Sequence, residues 1–168
     1  MAEKTMLTHL NIMLDGLKKK SQALSGILNI TENQRTVIES EMPIDGVREM
    51  IFNMNEEKQA SIRIVKECDD MFEKMLKDIG KELEAEQDMY KPQVKVLQEH
   101  IRRVMDLDVK IRVAEEENNN LLDARRAAEI PTQTQVAGQA GLKPKVTMPT
   151  DSAKVLNAYK QGKTNYKG

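Results

Sequence analysis

The sequence has no tryptophan, and in 168 residues it has only two phenylalanines, three tyrosines, one cysteine and two histidines. Five aromatics are too few for a thick globular core or a sheet sandwich, whose interiors depend on such large side chains. The single cysteine, Cys68, excludes an internal disulfide and points to a reducing compartment, and with two histidines it cannot complete a Cys/His zinc site. No run approaches the ~18 apolar residues of a membrane span. The opening MAEKTMLTHL also lacks the basic-then-apolar pattern of a secretory signal. The expectation is a cytoplasmic protein with no stable membrane insertion.

Sequence patterns for catalysis are missing too. There is no glycine-rich phosphate loop, no Gly-x-Ser-x-Gly elbow and no Walker lysine. A carboxylate-bridged metal site in a helical bundle needs Glu-x-x-His, yet Met6 precedes His9 and Leu97 precedes His100 by three. Cys68 falls on an apolar stripe between Val65 and Phe72, where a thiol acts as a small hydrophobe and keeps its proton. The expectation is a non-enzyme with no metal and no cofactor.

What is abundant is charge and methionine: 32% of residues are Asp, Glu, Lys or Arg, and eleven are Met. This composition suits long solvated helices. The net charge of −1 averages over two unlike parts. Residues 1–129 carry 20 basic and 26 acidic side chains, whereas residues 130–168 carry six lysines and one aspartate. The second part also holds three of the five prolines and four of the eight glycines, with no helical or strand period, which predicts a flexible tail.

In the first part, apolar residues recur in alternating steps of three and four. A first stripe runs Leu7, Leu10, Leu14, Leu17, Ser21, Leu24, Leu28 and then weakens at Thr31 and Arg35, so the helix is expected to reach toward Glu41 with a poorly packed end before Pro43 stops it. A second follows the Pro43-Ile44-Asp45-Gly46 break, with Asp45 as the expected N-cap: Val47, Ile51, Met54, Lys58, Ser61, Val65, Cys68, Phe72, Met75, Ile79. Lys91-Pro92 opens a third, running Val94, Leu97, Ile101, Val104, Leu107, Ile111, Ala114, Asn118, Leu121. Short turns between long helices make neighbours antiparallel. The expected fold is all-α: an elongated up-down-up bundle of three long helices over residues 1–129, followed by the basic tail.

A thin bundle leaves apolar surface for a partner. If the first two helices end early, the last turns of the third project the apolar Leu121-Leu122 pair beyond them. Within the tail, residues 151–160 have a helical start signal and an apolar face of Val155, Leu156 and Tyr159. A helix this short is marginal alone and would form on docking, either to a partner or back on the bundle. The tail lysines do not predict nucleic-acid binding, because the tail has no arginine and the adjoining body is acidic.

The leucine stripe with Glu32-Asn33-Gln34-Arg35, the break and renewed helix at Ile44-Asp45-Gly46-Val47-Arg48-Glu49-Met50, Asn55-Glu56-Glu57-Lys58-Gln59, and Glu117-Asn118-Asn119-Asn120-Leu121-Leu122 carry a resemblance. In order and spacing, over roughly residues 5 to 126, the chain resembles the FlgN-type flagellar type III export chaperones. The resemblance implies a cytosolic chaperone that holds the C-terminal amphipathic helix of hook–filament junction proteins, prevents premature assembly and delivers them to the cytosolic domain of the export gate. An amphipathic helix needs a groove with helically spaced anchors, and Val104, Leu107, Ile111, Ala114, Asn118, Leu121 and Leu122 are the candidate set. Val155, Leu156 and Tyr159 are the candidates for tail docking, with Tyr159 toward the gate. A chaperone of the filament cap protein would share this fold. The same heptads also fit a coiled-coil scaffold or homo-oligomer.

Overall fold

The computed structural model describes residues 3–129. The basic tail, with segment 151–160 and its candidate residues Val155, Leu156 and Tyr159, lies outside the described residues. Three helices make up the fold: α1 (Glu3–Ile38), α2 (Ile44–Ala85) and α3 (Lys91–Glu129). None of them is long and apolar enough to cross a membrane. The bundle is all-α, as the three stripes predict.

Both breaks fall where proline places them, with differences of detail. α1 ends at Ile38, three residues short of Glu41, in a turn where the Glu39 and Ser40 amides donate back to the carbonyls of Arg35 and Val37. Asp45 does not cap α2. Pro43, at φ −57° and ψ 149°, occupies the cap position, its carbonyl accepts from Val47 N–H at 3.0 Å, and no side-chain cap bond forms. Asp45 lies in the first turn of α2, where its charge still favours the positive end of the helix dipole.

Contacts between helices define the topology. Lys20 meets Asp69 and Gln34 meets Asn55, pairs whose numbers have a constant sum, so α1 and α2 are antiparallel. Thr31 meets Asn118 and Ile38 meets Arg125 at a constant offset, so α1 and α3 run parallel. α1 packs along both other helices, while α2 and α3 scarcely touch. The first helix is therefore the spine of the molecule, and the hairpin of α2 and α3 is open.

A spine needs two buried rows, and α1 has them at heptad spacing. Met6, Met13, Lys20, Ile27 and Gln34 form one row, which meets α2 at Lys20 and Gln34. Leu10, Leu17, Leu24, Thr31 and Ile38 form the other, which meets α3 at Thr31 and Ile38. The second row lies on the expected stripe. The first is displaced by one residue from the expected Leu7, Leu14, Ser21 and Leu28, because Lys20 and Gln34 disguise it; of the expected four, Ser21 is also buried and the leucines are half-buried.

A similar displacement occurs over part of each of the other helices. On α2 the row Ile51, Lys58, Val65, Phe72, Ile79 is buried as expected, and so are Val47 and Cys68 of the second expected row, but Asn55, Ile62 and Asp69 are buried rather than the expected Met54, Ser61 and Met75. On α3 the row Leu97, Val104, Ile111, Asn118 is as expected, and its companion begins as expected with the half-buried Val94 and Ile101, but continues with Asp108, Glu115, Leu122 instead of Leu107, Ala114, Leu121.

Two apolar clusters result. The larger runs from Met6 and the Tyr90 turn to Ile27, Ile62 and Ile111. The smaller gathers Ile38, Val47, Ile51 and Leu122 at the far end. Between them lies a layer of polar side chains. The end of α1, expected to be poorly packed, is held by this layer, with Thr31 and Gln34 both buried.

Candidate functional site

Polar groups in a thin bundle are costly unless paired, and here most of the buried ones meet a partner on another helix, Ser21 Oγ being left without a hydrogen bond. In the central layer the Lys58 ammonium of α2, 0% exposed, donates to Glu115 Oε1 of α3. The Thr31 hydroxyl donates to the Ile27 carbonyl at 2.8 Å and lies 3.4 Å from the same Glu115 oxygen. Asn118 Nδ2 donates to the Thr31 carbonyl at 2.8 Å, and Gln34 Nε2 donates to Asn55 Oδ1 at 2.8 Å. Three helices are thus joined at one level. Burial lowers the Lys58 pKa from its ordinary value, and the Glu115 carboxylate opposes the shift.

Lys20 repeats this motif two heptads from Gln34, within the larger cluster. Its ammonium donates to Asp69, with Asp108 of α3 adding a second favourable charge. Burial again lowers the lysine pKa against these carboxylates. Asp108 is also 3.7 Å from Arg112 one turn on. At the far end Arg125 of α3 donates to the carbonyls of Ile38 and Met42, tying the third helix to the turn between the first two.

The candidate partner-binding residues divide in this framework. Val104, Ile111 and Leu122 are buried inside the monomer and do not line the open α1–α3 groove, whereas Asn118, also buried, reaches its wall. Leu122 joins the smaller cluster because α1 and the start of α2 extend beside the last turns of α3, so Leu121-Leu122 does not project beyond the bundle. Leu107 and Leu121 are half-buried and pack against the larger and smaller cluster respectively. Ala114 lies at the edge of a groove between α1 and α3.

That groove, of about 430 Å³, is lined by Leu28, Val109, Val113 and Ala114, with Thr31 and Asn118 also on its wall. Val109 and Val113 are each 49% exposed and stand one turn apart on α3. Glu32, Arg35, Lys110 and Glu117 rim it with both signs of charge, and Arg35 Nη1 reaches Glu117 at 3.1 Å across it. The sequence reading missed the two valines because they lie off the main stripe. The visible signal was a β-branched pair at i, i+4 on a face otherwise charged.

A second, wider cleft of about 960 Å³ opens between α2 and α3 near their connecting turn. Leu76, Leu83 and Val94 line it, half-buried against the larger cluster.

Among the described residues no group of three or more His, Cys, Asp or Glu side chains is placed to hold a metal ion. Cys68 is buried, and that burial is the main cause pushing its thiol pKa up, which disfavours the nucleophilic thiolate. Comparison of the chain with family models, with curated proteins and with solved structures gives no match.

Proposed function

We propose that the protein is a helix-binding chaperone of flagellar type III export, holding a terminal amphipathic helix of a hook–filament junction protein until it is delivered to the cytosolic domain of the export gate. The observation that carries the reading is the α1–α3 groove, where half-exposed Val109 and Val113 face Leu28 and Ala114 inside a rim of mixed charge. An amphipathic helix lays anchors at i, i+3 or i+4 into such a groove, and its flanking charges pair with the rim. The order and spacing of the FlgN-like motifs support the export role. The tail, with Tyr159, is proposed as the contact to the gate, and cytoplasmic location goes with this reading.

The proposal moves the binding site from the end of α3 to its middle, keeping Ala114 and Asn118 from the original set. Co-purification with C-terminal segments of junction proteins tests it. The wild-type chain retains the segment at micromolar concentration, and Val113→Asp reduces binding about tenfold or more, as expected when a charge enters an apolar contact. Because Val113 is half-exposed, the variant keeps its helicity by circular dichroism. No complex with soluble, intact segments overturns the proposal, and binding to the filament cap segment instead reassigns the substrate.

A further inference from the structure

The cleft between α2 and α3 carries an independent inference. Its walls bear opposite charge: Glu84 and Asp88 stand on the α2 side, and Lys91, Lys95 and Arg102 on the α3 side. All five side chains are exposed, and none takes part in an ion pair among the described residues. Leu83 and Val94 lie at the same level, each ~5 Å from the turn at 1.5 Å per residue, with Leu76 two turns further on.

Three local choices here work against the isolated chain. α2 ends without a basic residue in its last turn, and α3 begins without an acidic one, so the charges oppose both helix dipoles. Gly80 stands in the interior of α2, yet a Cβ added there would meet nothing within 4 Å. The fold does not need a glycine at that position, whereas close approach by another backbone does. Local rules broken together on one face mark that face as used for something beyond the fold.

A face divided into an acidic and a basic wall is self-complementary under a two-fold axis. We propose that two copies of this chain associate in parallel through the α2–α3 cleft, so that each α2 lies beside the α3 of the other copy. The four helices alternate in direction around the axis. Leu76, Leu83 and Val94 of both copies form the shared interior, Glu84 and Asp88 of each pair with Lys91 and Lys95 of the other, and Gly80 lets the helices approach closely. The cleft and the α1–α3 groove share no lining residue, so failure of the chaperone reading leaves the dimer untouched.

Sedimentation of the full chain tests it. The wild type is expected to pass from monomer to dimer with rising micromolar concentration. E84K/D88K makes both walls basic and K91E/K95E makes both acidic, so each variant alone sediments as a monomer. An equimolar mixture of the two restores a dimer of one copy each. Gly80→Leu weakens association about tenfold or more without lowering the helical signal, because leucine is the better helix former. A wild-type chain that stays monomeric overturns the proposal and leaves the cleft to the chain's own tail or to another protein. A dimer indifferent to both charge reversals also overturns it.

Discussion

The larger apolar cluster and the polar layer beside it occupy the same helices and the same heptad rows, yet they do different work. In the cluster, Met6, Leu10, Met13, Leu24 and Ile111 are nearly inaccessible and interact through shape and area alone. Their contacts drive collapse but discriminate poorly between registers, since a heptad slip sets one aliphatic side chain against another. In the layer, Lys58 has one oxygen to meet and Asn118 one carbonyl. A slip there buries an unpaired charge, so the layer selects the alignment of α2 and α3 on α1. Adhesion and register are thus carried by different side chains of one bundle, and the Lys20–Asp69 pair repeats the selective contact within the larger cluster.

The sharpest way to break this division is Glu115→Leu, which leaves the Lys58 ammonium buried without its partner. The expected loss is about 3–5 kcal/mol by chemical denaturation. Adding Lys58→Met returns the double variant to wild-type stability or above it, because an apolar pair avoids the desolvation that the ion pair incurs. If the layer selects register, that stable double variant loses uniqueness, seen as doubled or broadened amide resonances for α3. A single sharp set would show that the apolar rows suffice.

Leu10→Ala probes the other side of the comparison. It opens a cavity in the larger cluster and is expected to cost about 2–5 kcal/mol while leaving one set of resonances. Multiple alignments in this variant would erase the distinction between the two regions.

The smallest effect is on pH dependence. Burial holds the Lys58 pKa below 10.5, so the folded chain releases this proton at lower pH than the unfolded chain. Between the lowered value and 10.5 the unfolded state binds more protons, and the Lys58 contribution to stability rises with pH across that window. Lys20 acts in the same direction. The wild type should therefore gain stability relative to Lys58→Met/Glu115→Leu as pH rises toward about 10. Parallel pH profiles for the two proteins would mean that Lys58 titrates alike in both states.

The comparison also explains which parts of the molecule were legible. One row of each helix was read correctly, because Leu10, Leu17 and Leu24, or Ile51, Val65 and Phe72, or Leu97, Val104 and Ile111, recur at heptad spacing and are apolar. The companion row was placed one residue away along α1 and over part of α2 and α3, on neighbours such as Leu14, Met54 and Leu107, while Val47, Cys68, Val94 and Ile101 were placed correctly. The true companions include Lys20, Gln34, Asn55, Asp69, Asp108 and Glu115, whose polarity reads as solvent exposure. Each is tolerable inside only because a complementary group arrives from another helix. The candidate site suffered from the same error: Ile111 and Leu122 were taken as open anchors, while the exposed Val109 and Val113 were passed over.

By itself the sequence determined the helical class, the three long helices, the two proline-marked breaks and the division of charge at Ile130, because periodicity, breakers and composition act locally along the chain. Tertiary structure alone decided that α1 is the spine, that α2 and α3 stand apart, and that buried lysines meet carboxylates at two levels. Those outcomes depend on pairs of residues 49 and 57 positions apart, whose complementarity no local pattern encodes. The physical reason is desolvation: a charged side chain enters the interior only when another segment supplies its partner there.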